Sequence, residues 1–263
     1  MPYRIDITGA HPDVLDRLVQ LGALDVEPVG DGIAAILPDG VEPDSVSAAL
    51  GGARVIVSAA VARDNGSVWL LNPRPVQIGG VLIAPPDMAA PPDALRLKDS
   101  DVFGTGHHAT TALCIGALEE ILAFERIDSV LDVGTGSGIL ALAALKLGVP
   151  KAVGLDIDAE ALEAAAANAR LNHLGDRLEL VFGGPDILQG TWPLVVANIL
   201  AAPLMEMAPS LVRLLARRGR LILSGIPWSV ASEVRQAYEH LGVRHFASRE
   251  RDGWVAVAAQ ATW

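Results

Sequence analysis

A chain of 263 residues with 51% hydrophobic side chains can bury a full catalytic core plus a smaller companion, which excludes wholesale disorder. The formal net charge of −11 opposes nonspecific binding to phosphate backbones, which needs clustered lysine and arginine, and suits either a basic protein partner or plain solubility. Cys114 is the single cysteine, so an internal disulfide and a cysteine-built metal site are excluded too.

No run approaches the ~18 uninterrupted apolar residues of a membrane span, and the start Met1-Pro2-Tyr3-Arg4 lacks a signal-peptide core. The expected location is therefore a reducing cytoplasm. Residues 3–8 alternate in strand fashion, and residues 11–22 carry helical spacing through Val14, Leu15, Leu18, Val19 and Leu21. Strands follow at 24–29 and 33–37, parted by Gly30-Asp31-Gly32, then a helix at 44–50 and a strand at 54–61. This β-α-β-β-α-β order predicts a small ferredoxin-like α+β domain over residues 1–83, with further strands at 68–71 and 76–83. Residues 84–93, Ala-Pro-Pro-Asp-Met-Ala-Ala-Pro-Pro-Asp, read as a proline-rich linker that runs to residue 100.

Residues 101–263 alternate strand and helix, the signature of a parallel sheet covered by helices. Strands are predicted at 129–133, 152–156, 178–182, 194–197 and 220–224, with helices at 139–147, 159–172, 202–215 and 230–241. A final pair at 244–249 and 254–259, joined through Asp252-Gly253, reads as a closing antiparallel hairpin.

The segment Val130-Leu131-Asp132-Val133-Gly134-Thr135-Gly136-Ser137-Gly138 is a strand running into a glycine turn and a helix start. Such turns bring backbone close to a ligand at the carboxyl ends of strands. Glycine at alternate positions with Ile139 following fails the Gly-x-Gly-x-x-Gly fingerprint, so a dinucleotide oxidoreductase is disfavoured. The next strand ends on Asp156, placed to accept hydrogen bonds from ribose hydroxyls; Asp158 fits a helix cap better. An adenine is expected against residues 183–187.

Asn198 follows the fourth predicted strand, where its side-chain oxygen and the carbonyls of Ile199 and Leu200 can accept hydrogen bonds from an amine. The alternative is a cap on the following helix. Phe103-Gly104-Thr105-Gly106-His107-His108-Ala109-Thr110-Thr111 resembles a loop that closes over a ligand, with Thr110 or Thr111 as helix cap the alternative. Adjacent histidines do not easily share one ion and no carboxylate accompanies them, so no metal is expected.

Together these segments, with Leu223-Ser224-Gly225-Ile226, resemble the methyltransferase family that modifies large-subunit ribosomal protein eleven, over residues 101–259. The resemblance implies a class I, Rossmann-like doubly wound sheet and S-adenosylmethionine as cofactor. It implies cofactor contacts from Thr111, Gly134, Asp156 and Asn198, with Gly136 and the loop residues Phe103, Gly104, Thr105 and Gly106 beside them. It implies methylation of lysine side-chain and amino-terminal nitrogens on a basic ribosomal protein recruited by the front domain, with Asn198 as catalytic residue and Ile199 and Leu200 positioning the substrate. A monomer that binds neither nucleic acid nor membrane is expected. Two departures from the family pattern are His107 and Ala109, where threonine and proline are commoner, and a front domain that is somewhat short. A related enzyme that methylates lysines of the electron transfer flavoprotein β subunit is the alternative, and a silent cofactor-binding protein is a third reading.

Overall fold

The computed structural model describes residues 1–8, 13–51, 53–64, 66–100 and 102–263, and divides into two compact units, Met1–Pro73 and Arg74–Trp263. The first unit runs β1 (Tyr3–Thr8), α1 (Val14–Gln20), β2 (Asp25–Val29), β3 (Gly32–Leu37), α2 (Pro43–Ala49) and β4 (Val55–Ala59), followed by the short pair β5 (Ala62–Arg63) and β6 (Val68–Trp69). The first part of the predicted 11–22 helix, at His11 and Pro12, lies outside the described residues. The sheet order β2-β3-β1-β4, all antiparallel, is the ferredoxin-like arrangement expected from the element order. Period-two alternation on β1 sends Ile5 and Ile7 into a core with Leu18, Leu37 and Val46. Pro43 starts α2, where its missing N–H has no partner to lose.

In the second unit β7 (Val76–Ile78), β8 (Val81–Ala84) and β9 (Leu95–Arg96) form a small sheet. The single strand expected at 76–83 is thus a hairpin, turned at Gly79, whose φ is +52°. The unit boundary also differs from the expected one, at residue 73 rather than 83. Residues 84–100 are part of the second unit's packing. β8 and β9 pair in parallel, Ile83 and Leu95 are buried, and the Arg96 guanidinium donates to the carbonyls of Pro85, Met88 and Ala90. Prolines that deny hydrogen bonds to a sheet here sit in a turn whose carbonyls an arginine gathers.

The large sheet collects β10 (Ser129–Val133), β11 (Lys151–Asp156), β12 (Leu178–Phe182), β13 (Trp192–Asn198), β14 (Leu215–Pro227), β15 (Val243–Arg251) and β16 (Trp254–Ala261), in the order β12-β11-β10-β13-β14-β16-β15. The first five in sequence are parallel, and β16 closes antiparallel between β14 and β15. Its helices are α3 (Ala109–Phe124), α4 (Ile139–Lys146), α5 (Ala159–Leu171), α6 (Ala201–Glu206), α7 (Ala208–Arg213) and α8 (Ala231–His240). The helix expected at 202–215 is two helices, because Pro209 lacks an N–H and its ring crowds the carbonyl of Met205. Alternate residues of the central strands face opposite cores. Val130 and Val196 join α3 and α4, while Leu131, Val133 and Val195 join the α6–α8 side. The fold is class I α/β, doubly wound. Strand order reverses at β10, which places a crevice beyond the carboxyl ends of β10 and β13.

Candidate active site

The glycine turn leaves β10 and caps α4. Gly134 and Gly136 have φ of +72° and +53°, a region a side chain disfavours. Space forbids a side chain as well: a Cβ on Gly134 would lie 2.4 Å from Ile199 Cγ2, and one on Gly136 would lie 2.7 Å from the Phe103 carbonyl oxygen. The N–H groups of Gly134 and Thr135 donate to the Leu155 carbonyl at 2.8 and 3.0 Å, tying the turn to β11.

Asp156 ends β11 and organises its surroundings. Its Oδ2 accepts from Gly136 N at 2.9 Å and its Oδ1 from Asp158 N at 3.0 Å. Each carboxylate oxygen retains a second acceptor direction, so ribose hydroxyls can still be bound. Asp158, not Asp156, caps α5, with Oδ1 accepting from Glu160 N at 2.9 Å.

Residues 103–106 lie against the glycine turn. Ser137 N donates to the Phe103 carbonyl at 3.0 Å and Ser137 Oγ to the Gly104 carbonyl at 2.7 Å. Asn168 Nδ2 on α5 then donates to the Ser137 carbonyl at 2.9 Å. Sequence alone placed Ser137 in the turn but assigned it no role. The histidines diverge: His107 Nε2 lies 3.0 Å from the Arg74 carbonyl, while His108 Nδ1 lies 2.7 Å from Thr110 Oγ1. His108 is the N-cap of α3, accepting from Thr110 N, so neither Thr110 nor Thr111 is the cap. Its ring meets Phe103 and Trp254 edge-on, at centroid distances of 5.4 and 5.2 Å.

Among the described residues, three buried side-chain oxygens have no hydrogen-bond partner: Thr111 Oγ1, Asp132 Oδ1 and Asn198 Oδ1. They stand on α3, β10 and β13, and β10 pairs directly with β13 through Val133 and Ala197. Buried polar atoms are normally satisfied, and such orphans mark a place for a ligand or water. Asn198 does not cap a helix, since α6 begins after Leu200 without a side-chain cap. Ile199 N instead donates to the Ser224 carbonyl at 3.1 Å, and a Cβ on Gly225 would fall 2.1 Å from the Ile199 carbonyl oxygen. Asp132 is fully buried, and burial pushes its carboxyl up to about 7, against the lowering effect of bonds from Thr135 Oγ1 (2.8 Å) and Ala141 N (3.1 Å) to Oδ2.

Apolar side chains crowd the same carboxyl edge while open to solvent. Ile157 is 75% exposed, Phe182 63%, Leu200 66% and Trp228 65%, each at or just past the end of a parallel strand. Residues 183–187, the expected adenine wall, contribute Ile187, and Gly183 N donates to the Asp156 carbonyl at 2.8 Å. The sequence reading missed Ile157, Phe182 and Trp228. The signal was an apolar residue exactly where a strand runs out and burial should cease. The glycine cradle, the Asp156 carboxylate, the exposed apolar edge and the orphaned oxygens fit an adenosine joined to a polar, charged tail.

A family model described as ribosomal protein L11 methyltransferase matches residues 47–262. The chain belongs to the ribosomal protein L11 methyltransferase family. Among proteins of that name, one from Pelobacter propionicus is 39% identical over 212 residues, covering 78% of this chain and 69% of its own length. Another, from Ectopseudomonas mendocina, is 46% identical over 197 residues, covering 72% and 65%. The matched region thus spans about two thirds of these relatives. The solved structure of a ribosomal protein L11 methylase from Lactobacillus delbrueckii subsp. bulgaricus superposes with a TM-score of 0.67 at 30% identity, over 72% of this chain and 100% of that one. The family model begins inside the first unit, so residues 1–46 lie outside it.

Proposed function

We propose that this member of the L11 methyltransferase family transfers methyl groups from S-adenosylmethionine to lysine side-chain and amino-terminal nitrogens of ribosomal protein L11. The observation that carries this reading is the pair of orphaned oxygens, Thr111 Oγ1 and Asn198 Oδ1, beside a glycine turn already tied to Asp156. The cofactor, when bound, supplies a sulfonium-activated methyl group, so the protein needs neither a strong nucleophile nor a metal. Gly134, Gly136, Asp156 and Thr111 hold it, with Phe103, Gly104, Thr105 and Gly106 closing over it. Asn198 Oδ1 accepts a hydrogen bond from the attacking amine and turns its lone pair toward the methyl group. Ile199 and Leu200 steady the amine-bearing chain. A free lysine is mostly protonated at neutral pH, given its reference pKa of ~10.4, and a substrate docked over the solvent-open apolar edge loses water around its amine, which favours the neutral form.

The first unit, with the expected 1–83 recruiting domain as its basis, selects the basic substrate. The protein acts in the cytoplasm as a monomer without binding nucleic acid. No described helix is long and apolar enough to cross a membrane. The test is the intact mass of ribosomal protein L11 from cells with and without this gene. Added methyl groups that vanish with the gene support the proposal. An unchanged mass, with lysine methylation lost from another protein such as the electron transfer flavoprotein β subunit, redirects it.

A further inference from the structure

Asn168 is a costly residue where it stands. It lies in α5, whose Ala161, Ala165 and Ala169 are buried beside it, and asparagine is a poorer helix former than alanine. Its side chain is buried, at 1% exposure, and a buried amide needs a partner on each polar atom. Oδ1 accepts from Lys98 N at 3.0 Å, and Nδ2 donates to the Ser137 carbonyl at 2.9 Å. Ser137 carries the connection onward, its N–H donating to the Phe103 carbonyl and its Oγ to the Gly104 carbonyl. Gly104 permits that approach, with φ of +111° and a Cβ that would lie 2.4 Å from Ser137 Oγ. Behind the turn, a Cβ on Gly138 would lie 3.1 Å from Ala165 Cβ, so α5 packs onto the turn just before Asn168. One amide thus holds the chain directly at Lys98 and, through Ser137, at Phe103 and Gly104. Asn172 makes bonds of the same kind one helical turn later, but they run to Arg96 and to the Asn168 carbonyl.

We infer that Asn168 is a positioning residue for the cofactor: from a helix behind the glycine turn, it seats the 103–106 loop in the shape that closes over S-adenosylmethionine. This inference rests on the functional reading above, which assigns that loop to the cofactor. A loop already held in its closing shape loses less conformational freedom when the ligand arrives. By linkage, a ligand that favours the seated loop strengthens in turn the bonds that seat it. Loosening Asn168 therefore weakens binding without removing any group that touches the ligand.

Calorimetry of the whole protein with S-adenosylmethionine, alongside denaturant unfolding, separates this role from plain structural support. Asn168→Ala should weaken Kd about tenfold, whereas Asn172→Ala, which loses stability through bonds of the same kind, should keep Kd within about twofold. Ser137→Ala breaks only the Oγ bond to Gly104 and should weaken Kd as well. The two substitutions together, Asn168→Ala with Ser137→Ala, should weaken it by less than the product of their separate effects, because both act along one path. Where Asn168→Ala fails to fold, hydrogen exchange on the wild-type protein decides. Saturating S-adenosylmethionine should slow exchange at the Lys98 and Ser137 N–H groups and leave the Arg96 N–H as it was. Three results would each overturn the inference and leave the functional reading standing. They are a folded Asn168→Ala with wild-type Kd, an equal loss of affinity in Asn172→Ala, and unchanged exchange at Lys98 and Ser137 on binding. A wild-type protein that binds no S-adenosylmethionine overturns both.

Discussion

Asp156 and Asn198 stand a strand apart at the sheet's carboxyl edge, and their substitutions should separate binding from transfer. Asp156→Ala removes the acceptor that holds Gly136 N and Asp158 N and that is proposed to bind the ribose hydroxyls. Hydrogen bonds to a charged group contribute about 1.5–3 kcal/mol, so cofactor Kd should weaken by about 10–100-fold in calorimetry. Asn198→Ala should leave Kd nearly unchanged and lower the transfer rate, because its orphaned oxygen is proposed to accept from the incoming amine. A variant pair with matching affinities and matching rates would contradict both assignments. Gly134→Ala forces a methyl group against Ile199 in a backbone region unkind to any Cβ, and should abolish cofactor binding where Gly175→Ala, with nothing within 4 Å and no positive φ, should not. Asp132 also leaves a mark on the free protein's stability. Its carboxyl is raised from 3.8 to about 7, mainly by burial. The folded state therefore holds a proton that the unfolded state has lost, and stability falls as pH rises from about 4 to about 7. Denaturant midpoints of the wild type should decline across that window relative to Asp132→Asn. A parallel pH profile for the two proteins would contradict the burial of an unpaired carboxyl.

Among the elements, those with a strong local period were the most legible. β10 and β12 occupy the residues expected for them, and α4 and α5 fall within a residue of expectation, because alternation, glycine turns and alanine-rich runs are local signals. The helix break at Met207 was legible in principle from Pro209 and was passed over. Residues 84–93 were misjudged for a different reason. Their composition is that of a linker, and only the tertiary pairing of β8 with β9 and the reach of Arg96 make them an ordered turn. Asn172, which ends α5 as its C-cap, completes that arrangement: its Oδ1 accepts from Arg96 N and its Nδ2 donates to the Arg96 carbonyl. Asn172→Ala leaves the part-buried N–H and C=O of Arg96 without these partners and should cost about 1 kcal/mol per unsatisfied group in equilibrium unfolding. Limited proteolysis gives the complementary reading. The proline-rich stretch should resist cleavage in the wild type and become labile in Arg96→Ala. Easy cleavage at 85–93 in the wild type would restore the linker reading. Thr111 shows the limit of motif reading at the site. The sequence offered it as either a cap or a ligand contact; the His108 cap removes the first reading, and the unpartnered Oγ1 is the feature that supports proposing the second.

At the scale of the whole molecule, an acidic chain of net charge −11 presents its chemistry at one edge of a doubly wound sheet. Every parallel strand contributes there. β10 delivers the glycine turn, β11 the Asp156 carboxylate, β12 an exposed phenylalanine, β13 the Asn198 amide and β14 an exposed tryptophan. That convergence comes from topology, and the topology was readable from strand–helix alternation alone. The amine's orientation and the buried acid were not, because they depend on which side chains lose their partners when the sheet closes. The central claim is methyl transfer to a ribosomal protein amine, and mass spectrometry of purified ribosomal protein L11 after incubation with this protein and S-adenosylmethionine tests it most directly. The account expects the substrate to gain whole methyl groups on lysine or amino-terminal nitrogens, and to gain far fewer with Asn198→Ala. An unmodified substrate in a reaction where calorimetry shows the cofactor bound would contradict it.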